Sequence, residues 1–323
     1  MMHPLLLEPV YRRYLWGGRR FATELGRDLP PGDDFAESWE LVDRPGDDQS
    51  VVAAGPLAGR TLGDLVRGSG HDLLGRHAGL AAFPLLFKFL DARRDLSVQV
   101  HPDDERAAKL VPPDRGKTEA WYVVDAEPGS RIYAGLASGI GRDDLAAAIR
   151  AGRCAEVLHS FEPRSGDCVF IPAGTVHAIG SGLLVAEIQQ SSDVTYRLFD
   201  WNRAGPDGLP RPLHVEAGVE AVTRFGPVVP VVPQHTVDPA VDRLVTCAFF
   251  TFDEVRPART WEIGGDDACH VLAVLEGTVI LEGRWHLPAV GRGRTLLLPA
   301  AIGRQVVTVA AGQNAKLLHV ALP

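Results

Sequence analysis

Polar and apolar side chains alternate strictly in residues 96–101, which read Leu-Ser-Val-Gln-Val-His. Positions two apart in an extended strand share one face, so Ser97, Gln99 and His101 are predicted to point the same way. The intervening apolar residues are predicted to face a core. An amide and an imidazole side by side on one face of a sheet are suited to holding a ligand or a metal ion.

A second histidine closes the segment Gly-Asp-x-x-x-x-Pro-x-Gly-x-x-His at residues 166–177. This pattern resembles the second metal-binding motif of the cupins, a turn between two strands of a small β-barrel. With the strand at 96–101 and one acidic residue further on, the donors on offer are Gln99, His101, Glu119 and His177. Two imidazoles, a carboxylate and a weak amide donor suit a divalent metal that keeps an open position. Zn²⁺ is favoured, and iron(II) stays open because a two-His, one-carboxylate set also suits it.

Lysine is rare in this chain, whose other basic residues are arginines. The lysines are Lys88, Lys109, Lys117 and Lys316, and the first three fall close to the strand at 96–101. A compact ammonium that can lose its proton suits proton transfer better than a guanidinium does. The alternative is that three lysines fall by chance in one exposed region.

Short strands that end at turns are predicted along most of the chain. A buried strand at 83–90 carries Lys88, and further strands are predicted at 120–124 and 130–134. Helices are predicted at 61–67, which begins with a threonine cap, and at 142–151, which has acidic residues early and arginine late.

Residues 227–239 are rich in proline and are predicted to link two domains. Residues 295–304 echo residues 168–177, and Arg304 stands where the first copy has His177. The predicted fold is therefore mainly β, with two cupin-type β-barrel (jelly-roll) domains and a few short helices. Residues 1–226 would form the metal-binding catalytic domain, and residues 227–323 a second, metal-free cupin domain.

Composition excludes some classes of function. The chain has 323 residues, a formal net charge of -8 and a pI near 5.8, which argue against nucleic acid or an anionic membrane as partner. Neither a signal peptide nor an apolar run of membrane-spanning length is evident, so a cytoplasmic location is expected. The four cysteines have no CxxC spacing and are expected to be buried small hydrophobes.

Several segments, taken together, resemble the successive signatures of type I mannose-6-phosphate isomerases. The segments are 88–91 (KFLD), 96–102 (LSVQVHP), 116–122 (GKTEAWY), 171–180 (IPAGTVHAIG) and 188–197 (IQQSSDVTYR). Blocks at 16–18, 37–39 and 55–59 are similar to the N-terminal signatures of that family. The match runs in order from about residue 15 to residue 203, and the short spacing between residues 121 and 166 resembles the short bacterial form.

The resemblance implies a metal-dependent isomerase that interconverts mannose 6-phosphate and fructose 6-phosphate through an enediol. The family's metal ligands fall on Gln99, His101, Glu119 and His177, one Zn²⁺ per chain being expected although another divalent metal is not excluded by spacing. Its active-site lysine and arginine fall on Lys117 and Arg197. Ser97 and Lys88 are further candidates for binding the phosphate, with Lys88 equally suited to a structural ion pair. The proton-abstracting base stays open among Lys117, Arg197 and a hydroxide on the metal.

Two other readings compete with this isomerase. The same metal set on a cupin can carry an iron dioxygenase, although such a site would not require Lys117 and Arg197 beside the ligands. A non-catalytic sugar-phosphate sensor, or an isomerase of a different sugar phosphate, would keep the pocket. In each of the sugar-phosphate readings the expected partner is a small molecule. No dimer-forming helix is evident in the sequence, so the chain is expected to be a monomer.

Overall fold

The computed structural model describes residues 2–44, 46, 49–204, 208–283 and 287–323. These residues form mainly β-strands with a few short helices, as the sequence predicts. The helices are α1 (Arg20–Thr23), α2 (Leu62–Leu74), α3 (Asp104–Ala107), α4 (Arg142–Arg150) and α5 (Val215–Ala221), with 3₁₀ turns at Gly75–His77, Cys154–Val157 and Ala300–Ile302. None of the described helices has the length and apolar character needed to cross a membrane.

Strands of the first part of the chain precede residue 200. They are β1 (Leu5–Glu8), β2 (Val10–Gly18), β3 (Phe35–Leu41), β4 (Val51–Val52), β5 (Leu85–Ala92), β6 (Val98–Val100), β7 (Glu119–Ala126), β8 (Ile132–Leu136), β9 (Leu158–Phe161), β10 (Cys168–Ile171), β11 (His177–Ile179), β12 (Leu183–Gln190) and β13 (Tyr196–Phe199). The later strands are β14 (Gln234–His235), β15 (Val241–Thr246), β16 (Thr251–Val255), β17 (Thr260–Ile263), β18 (His270–Glu276), β19 (Thr278–Leu281), β20 (Val290–Gly291), β21 (Thr295–Leu298), β22 (Gln305–Val309) and β23 (Lys316–Ala321).

Hydrogen bonding divides these strands into four sheets. The six-stranded sheet has the order β10-β7-β12-β5-β3-β2, and the five-stranded sheet has the order β13-β6-β11-β8-β9. The eight-stranded sheet (β14-β15-β16-β23-β18-β21-β1-β4) and the four-stranded sheet (β17-β22-β19-β20) hold the later strands. The N-terminal strand β1 pairs antiparallel with β21, with Leu5 opposite Leu297. The division of the chain at residue 227 stays a prediction.

The sheets stack in layers through three apolar cores. One core joins the five- and six-stranded sheets, the second joins the six- and eight-stranded sheets, and the third joins the eight- and four-stranded sheets. Fully burying a large apolar side chain in such a core stabilises the fold by about 1.5–3 kcal/mol. The prediction of closed barrels is not met, because each sheet ends at edge strands and facing sheets are joined by side chains and not by backbone strand pairing.

Local predictions for individual elements are confirmed. The side chain of Thr61 accepts a hydrogen bond from the Asp64 amide and caps α2, and α4 lies where acidic and basic residues predicted a helix. Both α4 and α5 pack on the outer face of the five-stranded sheet. The four thiols are free, and three of them are buried. The face of the five-stranded sheet opposite α4 and α5 is directed at the six-stranded sheet.

Candidate metal centre and cavity

The space between the five- and six-stranded sheets is apolar at one end and charged at the other. Along β12, Leu183 and Val185 lie in the shared core, whereas Glu187 and Gln189 on the same face line a cavity. The same change from apolar to charged residues occurs on two neighbouring strands. Strand β5 carries Leu90 and then Lys88, and strand β7 carries Trp121 and then Glu119. Period-two geometry thus brings charged groups from three adjacent strands to one end of the sandwich.

Three buried side chains form a cluster with metal-binding geometry. Ligand atoms of His101, Glu119 and His177 all lie within 4.8 Å of one another. Nε2 of His177 is 3.3 Å from Oε1 of Glu119, and Nε2 of His101 is 3.6 Å from Oε2. These residues come from both sheets, since β7 carries Glu119, β11 begins at His177 and His101 follows β6. The structure therefore brings together three of the four predicted metal ligands.

Backbone carbonyls fix the orientation of both imidazoles. Nδ1 of His101 lies 2.8 Å from the Val194 carbonyl oxygen, and Nδ1 of His177 lies 2.9 Å from that of Thr175. Each Nδ1 therefore carries the proton and donates it, so the lone pair of each Nε2 points into the site, where Lys117 Nζ lies 3.1 Å from His101 Nε2 and Gln99 Nε2 lies 3.3 Å from His177 Nε2. Burial lowers the pKa of His177 to about 4, and burial followed by the Lys117 charge holds the pKa of His101 well below its ordinary value. Both rings are thus in the neutral form that binds metals.

The carboxylate of Glu119 is buried and incompletely satisfied. Neither of its oxygens accepts a well-directed hydrogen bond from the described residues, although Lys117 Nζ lies 2.9 Å from Oε2 as an ion pair. A buried carboxylate without hydrogen bonds is costly unless a cation compensates it. Two lone pairs aimed at this carboxylate make a donor set that fits a divalent metal ion.

Gln99 lies beside this cluster on the neighbouring strand. Its side-chain amide nitrogen is 3.3 Å from His177 Nε2, and the two residues are paired across β6 and β11. On the other side, Gln99 is paired with Arg197 of β13. The sheet therefore aligns His177, Gln99 and Arg197 in one row across three strands.

Two buried lysines lie among three carboxylates next to the cluster. Lys117 Nζ is 3.1 Å from His101 Nε2 and 3.7 Å from Glu187 Oε1. Lys88 Nζ is 3.2 Å from both Glu37 and Glu187, which favours the ion-pair role for Lys88. Burial and the nearby Glu119 charge raise the pKa of Glu187. Burial acts to raise the pKa of Glu37 as well, but Lys88 lowers it overall.

A cavity of about 330 Å³ opens beside these groups. Five of the predicted site residues line it, namely Lys88, Ser97, Gln99, Lys117 and Arg197. Its wall also contains residues that the sequence reasoning missed, among them Glu37, Trp39, Glu187, Gln189 and Arg211. Glu187 and Gln189 gave a signal, since they interrupt an otherwise apolar strand. Arg211 gave none, because it follows a loop rich in glycine and proline.

The later part of the chain lacks this arrangement at the equivalent turn. Strand β21 is followed by Pro299 and a 3₁₀ turn, and Arg304 then stands where His177 stands after β10. The Arg304 guanidinium is exposed and pairs with Glu262 at 3.0 Å. Among the described residues, the cluster around Glu119 is the one group with metal-binding geometry.

Comparisons with known proteins indicate one family. The family model described as phosphomannose isomerase type I, catalytic domain, matches residues 5–127. The chain is 35% identical over 314 residues to the mannose-6-phosphate isomerase ManA of Bacillus subtilis, covering 93% of this chain and 94% of the relative. It is 33% identical over 310 residues to the mannose-6-phosphate isomerase of Streptococcus mutans, covering 94% of each.

Structural similarity extends over the whole chain. The crystal structure of the mannose 6-phosphate isomerase from Bacillus subtilis superposes with a TM-score of 0.89 at 28% sequence identity, over 99% of both chains. The apo mannose 6-phosphate isomerase from Salmonella typhimurium shares the fold with a TM-score of 0.78 at 17% identity, covering 100% of both chains. Since sequence and fold agree over nearly its full length, this chain belongs to the type I mannose-6-phosphate isomerase family.

Proposed function

We propose that this chain interconverts mannose 6-phosphate and fructose 6-phosphate by moving a hydrogen between C1 and C2 through an enediol. The observation that carries the proposal is the buried cluster of His101, Glu119 and His177 directly beside Lys117, at the wall of a cavity. An aldose-ketose isomerisation needs groups that move protons and a positive site for the oxygen that gains charge. The cavity offers both.

The metal in this proposal is Zn²⁺, one per chain. His101, Glu119 and His177 would hold it, with Gln99 as a weak further donor. Three protein ligands with an open position are typical of catalytic zinc. When bound, the ion supplies Lewis-acid stabilisation of the substrate oxygen that becomes negative. The backbone carbonyls at Val194 and Thr175 keep both imidazoles oriented for this role.

Lys117 and Arg197 are the proposed catalytic residues. The Lys117 ammonium lies between Glu119 and Glu187, where its Nζ can give a proton to a substrate oxygen and recover it. Arg197 lines the same cavity and carries a permanent charge that neutralises the enediolate. Which group takes the proton from carbon stays open between these residues and the metal site.

Two further residues are proposed to contact the substrate. Ser97 lines the cavity next to Gln99 and presents a hydroxyl that can donate and accept hydrogen bonds. Lys88 would contact the substrate as part of a group with Glu37 and Glu187, whose carboxylates flank its ammonium. These three groups together offer donors and acceptors for sugar hydroxyls.

The larger architecture proposed is a metal-binding domain at residues 1–226 and a metal-free domain at residues 227–323, each of cupin type. We propose that the chain acts as a monomer. All donors of the candidate metal site come from one chain, which supports this.

The test is turnover of mannose 6-phosphate by purified protein before chelation, after chelation and after zinc is added back. Activity is expected to fall with chelation and return with zinc. His177→Ala is expected to lose both zinc and activity, whereas His71→Ala, at an exposed histidine, retains both. Zinc-loaded wild-type protein that binds the sugar phosphate without turnover would overturn the isomerase and favour a sensor.

A further inference from the structure

Arg211 is a cavity residue close to Arg197, where the row of His177, Gln99 and Arg197 ends. Strand β13, which carries Arg197, is the edge strand of its sheet, so the row ends there. Arg211 lines the cavity together with Arg197 although it comes from the segment after the sheet. Neighbouring strands are about 4.8 Å apart, so the row extends roughly 10 Å from His177. That length is enough to separate the two ends of a six-carbon substrate.

A single buried carboxylate holds Arg211 in place. Asp200 Oδ2 accepts from Arg211 Nε at 2.8 Å, and Oδ1 accepts from Arg211 Nη2 at 2.5 Å. Asp200 Oδ1 also accepts from Arg203 Nη2 at 2.6 Å. Such a two-point pair fixes the plane of a guanidinium. Arg211 Nη1 makes no hydrogen bond with the described residues, so one edge of this oriented group remains available.

Positive charge exceeds negative charge around Asp200 in the described part of the chain. Arg197, Arg203 and Arg211 gather around this one carboxylate. Arg197 Nη1 donates to the Pro212 carbonyl at 3.0 Å, but its buried Nε has no hydrogen-bond partner among the residues that the structure describes. Burial and then repulsion by Arg211 lower the pKa of Arg197. A buried donor without an acceptor, set among excess positive charge, indicates that an anion completes the site.

We propose that Arg211, oriented by Asp200, binds the phosphate group of the substrate, with Arg197 beside it. This inference rests on the proposed isomerase function and assigns the two ends of the cavity. A phosphate dianion carries three acceptor oxygens and matches the planar fork of a guanidinium. The phosphate end lies at Arg211, and the C1–C2 end lies at Lys117 and the metal ligands.

The charges around Arg211 differ from those around Lys88, the other candidate for binding the phosphate. Lys88 is flanked by Glu37 and Glu187, so a dianion approaching it would meet two carboxylates. Arg211 shares its one carboxylate with a second arginine. The electrostatic balance therefore favours phosphate at Arg211 and sugar hydroxyls near Lys88.

The first experiment compares wild-type, Arg211→Gln and Arg304→Gln proteins, all loaded with zinc. Arg304 is an exposed, ion-paired arginine of the later part of the chain and serves as the matched control. In Arg211→Gln, KM for mannose 6-phosphate and the inhibition constant of inorganic phosphate are expected to rise about 10- to 100-fold, the effect of losing hydrogen bonds to a charged group. Zinc content and kcat change little. Unchanged KM and phosphate inhibition in Arg211→Gln would overturn the proposal.

The Asp200→Asn variant tests whether Asp200 acts by orienting Arg211 or only through its negative charge. Removing a negative charge would strengthen phosphate binding if net charge alone mattered, whereas loss of orientation weakens it severalfold. Weaker binding supports the proposal, and tighter binding overturns the role of Asp200. Phosphate binding is also measured by calorimetry, independently of turnover. If wild-type protein turns over no mannose 6-phosphate but binds inorganic phosphate, and Arg211→Gln loses that binding, the isomerase fails while the phosphate site stands.

Discussion

Two pairs of buried histidines lie in different parts of this molecule and have opposite characters. His101 and His177 sit between the five- and six-stranded sheets, with ring centroids 4.8 Å apart. His270 and His319 sit on β18 and β23 of the eight-stranded sheet, with centroids 5.2 Å apart. Each pair has carboxylates close by, so residue type and proximity do not distinguish them.

Hydrogen bonding distinguishes the two pairs. In the second pair, His270 Nδ1 is 3.0 Å from His319 Nε2, so each ring nitrogen there is engaged with the other ring. The outer nitrogens are held by Asp266 at 2.9 Å and by Asp253 at 3.0 Å. In this closed pair the outer nitrogens face carboxylates and the inner nitrogens face each other, so no lone pair is directed at a carboxylate with which it could share a metal ion.

The first pair is held open by the backbone. Each Nδ1 is occupied by a carbonyl, and both Nε2 atoms face the unsatisfied carboxylate of Glu119. The contrast between the two pairs therefore lies in which nitrogen of each ring the backbone holds and in what the other nitrogen faces.

The largest effect is expected from Glu119→Gln. The change removes the negative ligand, so bound zinc should be lost and kcat/KM should fall by about 10³-fold or more, since metal stabilisation of the reacting oxygen is worth several kcal/mol. Metal analysis and steady-state kinetics measure both. The same amide substitution in the closed pair, Asp253→Asn, should lower the melting temperature and leave zinc and activity intact. A Glu119→Gln protein with full zinc and wild-type activity would refute the contrast.

The next effect concerns Lys117, the lysine whose Nζ lies 3.1 Å from His101 Nε2 in the open pair. Lys117→Met should keep zinc, because the three ligands remain, and should lower kcat by about 10²- to 10⁴-fold through loss of proton transfer. Kinetics on metal-quantified protein measure the change. Lys109→Met is the matched control, since Lys109 lies in the same stretch but is exposed and, among the described residues, forms an ion pair with Glu105 alone. Wild-type kcat in Lys117→Met would remove Lys117 from the mechanism.

Local sequence pattern predicted much of the open site. Alternation in residues 96–101 correctly directed Ser97 and Gln99 to one face and Val98 and Val100 to the other, because a strand has period two. Leu96 departs from this pattern, since it precedes β6 and faces the cavity side. Helices with clear caps, such as α2, were predicted for equally local reasons.

The sequence pattern did not predict which distant strands pair with each other. Nothing in the pattern indicated that Glu37 and Glu187 flank Lys88, because these residues meet only when β3, β5 and β12 align. The pairing of β1 with β21, across nearly the whole chain, was missed for the same reason. The hydrogen-bond chain of the closed histidine pair likewise depends on the register of β18 with β23.

A smaller effect is expected from the closed pair when pH is varied. Burial and then His319 lower the pKa of His270, so the folded protein takes up this proton less readily than the unfolded chain. Stability should therefore fall as pH drops below about 6.5, by up to about 1.4 kcal/mol per pH unit from this group, until the lower folded pKa is reached.

Replacing this histidine by His270→Gln should make that pH dependence shallower. Denaturant unfolding of both proteins near neutral pH and near pH 5.5 measures the difference in slope. His101 and His177 contribute equally to both proteins, so the difference reports the closed pair. Identical slopes would mean that the closed pair does not resist protonation.

The smallest effect is expected at His235, which pairs with Asp242 at 2.5 Å but has a side chain that is 91% exposed. Here the chemistry of a His–Asp pair is present without burial. His235→Ala should therefore change the free energy of unfolding by no more than about 0.5 kcal/mol, and leave zinc and activity unchanged. Denaturant unfolding beside His270→Gln gives the comparison. A cost at His235 as large as at His270 would show that pairing, and not burial, gives the closed histidines their effect.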